Sequence, residues 1–125
     1  MTECKIGCMC LIADKIDAMA TFYSNVFGAN MSQVNEDGLM LYEGKFSGIN
    51  FVLVPSSANK ATATENKIHF DLYVQDIKQI IDLVEKHGGK TNNKLAEDDV
   101  VKCIGVFDPD GNFMAVKQKK WGAGV

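Results

Sequence analysis

With 125 residues, 46% of them hydrophobic and 23% charged, the chain is long enough to bury one core and falls in the ordinary globular range. A formal net charge of −3 offers no positive field to nucleic acid or an anionic membrane, and the basic tail of Lys117, Lys119 and Lys120 does not change that. No apolar run approaches the length of a membrane span, and Glu3 and Lys5 interrupt the segment where a signal peptide would be apolar, so a single-domain cytoplasmic protein is expected. Cys4, Cys8, Cys10 and Cys103 lack the paired spacings of a zinc ribbon or a secreted disulfide framework and read as reduced thiols.

Residues 6–13 form a short apolar run with the flanks of a buried strand. Residues 16–27 then repeat apolar side chains at helical spacing through Ile16, Met19, Ala20, Tyr23 and Phe27, and Gly28 stops the helix. Residues 38–44 and 49–54 read as strands, separated by Gly44 and Gly48. The polar stretch 56–67, with Pro55 before it, is the candidate linker between a first module at about 4–55 and a second at about 68–118.

The second module opens with a strand at 68–74. Asp76 is placed to cap a helix whose apolar face is Ile77, Ile80, Ile81 and Val84, and Gly88 and Gly89 terminate it. A strand at 100–107, the turn Asp108-Pro109-Asp110-Gly111 and a last strand at 112–117 complete the pattern. A constant shift of 61 residues pairs Cys8 with His69, Leu11 with Leu72, Ile16 with Ile77, Met19 with Ile80 and Gly28 with Gly89. Matching apolar positions at one fixed period are the mark of a duplicated supersecondary unit.

The helix ending Phe22-Tyr23-Ser24-Asn25-Val26-Phe27-Gly28-Ala29 resembles that of the vicinal oxygen chelate superfamily, the glyoxalase/bleomycin-resistance/dioxygenase group. His69-Phe70-Asp71-Leu72-Tyr73-Val74 followed by Asp76-Ile77 is similar to the opening of its second module, and Phe107-Asp108-Pro109-Asp110-Gly111-Asn112 to its closing hairpin. The resemblance spans residues 6–117 and implies an α+β fold: two tandem βαβββ modules forming curved, mostly antiparallel sheets around a cavity, with helices outside. It also implies a homodimer. It is weak for activity, because one fold of this kind hosts lyases, dioxygenases and drug-sequestering proteins alike.

In metal-dependent members each module lends ligands from its first and last strands. The opening positions fall on Cys8 and His69, the only family-position metal candidates. The closing positions, usually carboxylates, fall near Leu53 and on Ala115, and neither 49–54 nor 112–117 contains Asp, Glu or His. One thiol and one imidazole fall short of the three or four ligands of a stable site, so no cofactor is favoured, a divalent metal being the one open candidate.

Strand alternation puts His69, Asp71 and Tyr73 on one face, in steps of about 7 Å. By the same rule Cys8 lies with Cys10, while Phe113 and Lys117 flank Ala115. These seven residues are the candidate ligand contacts, polar groups in an apolar cup. A self-satisfied internal network of His69, Asp71 and Tyr73 is the bland alternative, and Lys117 is positioned to neutralise Asp71. Cys8 and Cys10 suit soft-metal or thiol chemistry, although buried small hydrophobes are the commoner case. The Asp108–Asn112 segment is explained by a tight turn and receives no ligand role; His87 is read as surface structure, and Trp121 as a loose tail or a closure over the pocket.

Two functions of different class follow. One is a binder of an unidentified apolar or aromatic small molecule, like the bleomycin-resistance branch, with no nucleic-acid or membrane partner. The other is an enzyme, a lyase or isomerase, using His69 with Asp71 or Tyr73 as catalytic groups for proton transfer, with or without a metal at Cys8 and His69.

Overall fold

A computed structural model of the chain describes residues 8–57 and 70–120. The chain divides into two compact units, residues 1–62 and 63–125. Of the residues named above, Glu3, Cys4, Lys5, His69 and Trp121 lie outside the described ones.

The first unit runs β1 (Cys8–Ala13), α1 (Ile16–Phe27), β2 (Ser32–Glu36), β3 (Leu39–Phe46) and β4 (Ile49–Pro55). Its sheet has the order β1-β4-β3-β2, with β1 parallel to β4 and the other neighbours antiparallel. The helix occupies the predicted span and buries Met19, Ala20, Phe22, Tyr23 and Val26, one side of its 3.6-residue period. Gly28 ends it at φ 70°, where a left-handed residue lets the Gly28 and Ala29 N–H groups donate to the Ser24 and Tyr23 carbonyls. Against the sheet, Tyr23 meets Phe51 and Phe46 at ring-centroid distances of 5.2 and 5.6 Å. The core here is aromatic.

Two details correct the sequence expectation. The segment 32–36 is a strand in its own right, joined to β3 by a two-residue hairpin in which Asp37 and Gly38 both have positive φ, 51° and 82°. That geometry matches the natural twist of paired strands and is why Asp-Gly is favoured there; Gly38 belongs to this turn, not to the strand. Gly44, expected to separate strands, sits inside β3. A Cβ at that position would run into the Ala29 carbonyl oxygen and come within 2.7 Å of the Met31 sulfur, so the glycine permits close backbone approach and breaks nothing.

The second unit runs β5 (Asp71–Tyr73), α2 (Ile77–Lys86), β6 (Lys90–Thr91), β7 (Ala96–Glu97), β8 (Val101–Phe107) and β9 (Phe113–Lys119). The sheet order is β5-β9-β8-β6, with β7 also on β8. The opening and closing strands β5 and β9 are parallel, as β1 and β4 are, so the duplication read from the 61-residue shift extends to topology. The strand equivalent to β2 is broken into β6 and β7. Asn92 spans the break: its N–H donates to the Gly105 carbonyl, and its Oδ1 accepts from the Gly105 and Lys94 N–H groups.

Asp76 caps α2 as expected, its Oδ1 accepting from the N–H groups of Lys78 and Gln79. Gln118 of β9 accepts from the Ile77 N–H at 2.8 Å, fixing the helix start to the sheet. The core is aliphatic, formed by Ile77, Val84, Ile104, Val106, Met114 and Val116. The fold is therefore α+β, with two sheets of mostly antiparallel strands. Among the described residues no helix is long and apolar enough to cross a membrane.

Candidate functional site

Each sheet packs one face on its helix and turns the other away, and the candidate contacts lie on the faces turned away. In the first unit Phe51 and Leu53 are at most 1% exposed and belong to the helix side, which fixes the phase of the alternation. Cys8 and Cys10, paired with Asn50 and Val52, consequently lie on the opposite face. Both cysteines are exposed. The expectation of buried small hydrophobes is thus corrected, because both side chains leave the face turned away from α1, on a strand that is at the sheet edge among the described residues.

Around Cys8 the sheet forms an open recess of about 320 Å³ bounded also by Glu43, Gly44, Asn50, Phe51 and Val52. Loss of hydration, the adjoining Cys10 thiol and the negative Glu43 push the Cys8 thiol above its ordinary pKa, so it is a neutral thiol near pH 7. Glu43 and Asn50 were not among the sequence candidates. Residue parity along β3 and β4 carries the signal for both, but only once the buried face is known.

In the second unit Asp71 and Tyr73 pair with Ala115 and Lys117, as alternation requires. Lys117 Nζ donates to Asp71 Oδ2 at 3.2 Å, so the neutralisation foreseen from sequence is present. The hydrogen bond and charge of Asp71, with smaller contributions from Tyr73 and Cys103, hold the Lys117 ammonium above its ordinary pKa. The Lys119 ammonium sits 5.2 Å from the Tyr73 ring centroid, a cation–π arrangement.

Further along the same face, Phe113 meets Phe107 edge-on at 5.4 Å. Gly105 makes room for this pair: a Cβ there would lie 2.7 Å from the Phe113 ring and 2.6 Å from the Asn92 amide nitrogen. The face thus combines an aromatic end with a charged end, Gly105 and Ala115 lying between them and Cys103 standing opposite Lys117 at the charged end. Phe107 and Cys103 escaped the sequence reading because their facing depends on the β8–β9 register. The intervening turn is purely structural, with Asp108 only 3% exposed and accepting from the N–H groups of Asp110 and Asn112 and from the Asn112 amide.

Three of the four family metal-ligand positions, on or near Cys8, Leu53 and Ala115, lie among the described residues, and the fourth, His69, does not. Leu53, the expected closing position, lies fully buried against the helix side, leaving Asn50 and Val52 as the neighbours of Cys8 and Cys10. In the second unit Ala115 faces Asp71, and that carboxylate is engaged by Lys117. Among the described residues no three His, Cys, Asp or Glu side chains converge on a common point.

The Glyoxalase-like domain family matches residues 8–116. The chain belongs to this family. Among solved structures, this glyoxalase-like chain is similar to a glyoxalase/bleomycin resistance protein/dioxygenase family enzyme from Burkholderia phytofirmans PsJN, with TM-score 0.74, 12% identity and coverage of 92% of this chain and 98% of that one. It is also similar to the fosfomycin resistance protein FosX from Listeria monocytogenes, with TM-score 0.73, 11% identity and 94% of each chain covered. A lactoylglutathione lyase from Agrobacterium tumefaciens aligns with TM-score 0.66 and 22% identity over 97% of this chain and 98% of that one. At such identities the likeness carries the fold alone. No curated protein matches the sequence.

Proposed function

We propose that this glyoxalase-like protein binds an apolar or aromatic small molecule, in the manner of the bleomycin-resistance branch, using the sheet faces turned away from its helices. The observation that carries the reading is the second unit's face, which the Phe107–Phe113 pair shares with the Asp71–Lys117 ion pair. Aromatic walls with a few fixed polar groups are the usual make-up of a ligand site. The closing strands support it further by offering Asn50, Val52 and Ala115 where a metal enzyme would need carboxylates.

The enzyme reading, with His69, Asp71 and Tyr73 moving a proton, stands behind it because Asp71 is already committed to Lys117. Hemithioacetal isomerisation abolished by His69→Ala would reverse that order.

The test uses 8-anilinonaphthalene-1-sulfonate as an aromatic probe of the natively folded protein. Phe113→Ala should weaken its binding about tenfold, the equivalent of about 1.4 kcal/mol of lost aromatic contact. Unchanged affinity in that variant, with native circular dichroism retained, would remove the second sheet face from the binding site.

A further inference from the structure

The Cys8–Cys10 pair lies outside the core, on the first unit's outward face, and the observation on the second unit's face that carries the proposed function makes no use of it. The two residues are separated by one position on a single strand, so their Cα atoms are about 6.6 Å apart and their side chains leave the same face. Both are exposed, and the recess of about 320 Å³ beside Cys8 admits an ion from solvent.

We propose that Cys8 and Cys10 form a chelating dithiol for a soft, thiophilic cation of the copper(I) class. Soft thiolate donors select Cu(I) over hard divalent ions, and a d10 monovalent ion accepts two-coordinate thiolate ligation. Zinc is disfavoured on the same geometry, because its structural sites take four donors and no three His, Cys, Asp or Glu groups converge among the described residues. Binding replaces two S–H bonds with two S–Cu bonds, releases two protons to water and leaves copper as Cu(I). The site shares Cys8 with the family's opening ligand position and takes Cys10, a residue outside that set, as its second donor, so it needs neither His69 nor a carboxylate on the closing strand.

Cys8 Sγ donates a long contact of 3.7 Å to the Met9 carbonyl and interacts with the Cys10 thiol, weak interactions that a bond to the metal displaces at little cost.

The experiment titrates the reduced full-length protein with Cu(I) against a colorimetric Cu(I) chelator under anaerobic conditions, with Zn(II) in a parallel titration. One equivalent of Cu(I) is expected. Cys8→Ser and Cys10→Ser should each weaken retention by about 100-fold or more, the scale on which a second tethered donor strengthens binding. Cys4→Ser and Cys103→Ser should leave it unchanged. Retention undiminished in the Cys8/Cys10 double variant, dependence on Cys4 or Cys103 instead, failure to compete with the chelator, or tighter Zn(II) than Cu(I) binding each overturns the assignment. Because both side chains are exposed, circular dichroism of the variants should match the parent protein.

Discussion

The two units share strand order and the parallel pairing of first and last strands, yet they are filled differently. In the first, α1 meets its sheet through Tyr23, Phe46 and Phe51, with neighbouring rings 5.2 to 5.6 Å apart. In the second, α2 rests on Ile104, Val106, Met114 and Val116. The outer faces diverge as well: the row that places Cys10 beside Val52 in one unit places Asp71 beside Ala115 in the other. A duplicated fold constrains which positions are inside, because the alternation and the helix contact are inherited together. It leaves the chemistry of the other face free, since those side chains are not required for packing.

The contrast is broken most severely in the aromatic core. Phe51→Ala should cost about 3–5 kcal/mol, the range for emptying a buried phenylalanine site, read as a lower denaturant midpoint. A loss below about 1 kcal/mol would mean the rings of the first unit do not form its core.

The glycines give a smaller and sharper comparison. Gly44→Ala drives a methyl into the Ala29 backbone carbonyl, whereas Gly105→Ala meets side-chain atoms of Asn92 and Phe113. Overpacking costs about 1–3 kcal/mol, with Gly44→Ala expected at the upper end and Gly105→Ala lower, because a ring and an amide can rotate away. Thermal unfolding of the two variants checks the order, and the reverse order would contradict it.

The mildest effect concerns the ion pair. Lys117 is held above the ordinary lysine value of 10.5 by Asp71, so its folded-state pKa exceeds the unfolded one. From neutral pH upward the pair's contribution is therefore complete as far as 10.5 and is lost as pH rises through the elevated value. Asp71→Asn should return the Lys117 titration, followed by NMR, towards 10.5 and leave stability between neutral pH and pH 9 almost flat. A Lys117 titration unmoved by the substitution would show that the two groups do not pair in solution.

How much of this was legible beforehand depended on the range of the signal. The span of α1, the Asp76 cap, the closing turn and the shared face of Asp71, Tyr73 and Lys117 were all readable, because each rests on residues close in the chain or on simple parity. β2 was missed although Asp37-Gly38 marks its hairpin, since Ser32–Glu36 is polar and shows little alternation. The exposure of Cys8 and Cys10 was misjudged because an apolar run looks alike whether its strand is central or at an edge.

By itself the sequence determined the doubling of one βαβββ unit, because apolar periodicity and glycine punctuation are local properties of the chain, while the family was legible only through the resemblance of its motifs. Only the tertiary structure decided that Leu53 faces the helix, that Asn50 and Val52 stand beside the cysteines, and that Cys103 lies opposite Lys117. Those facts depend on register between strands, and register is set by which side chains fill the space under the helix rather than by any residue read alone.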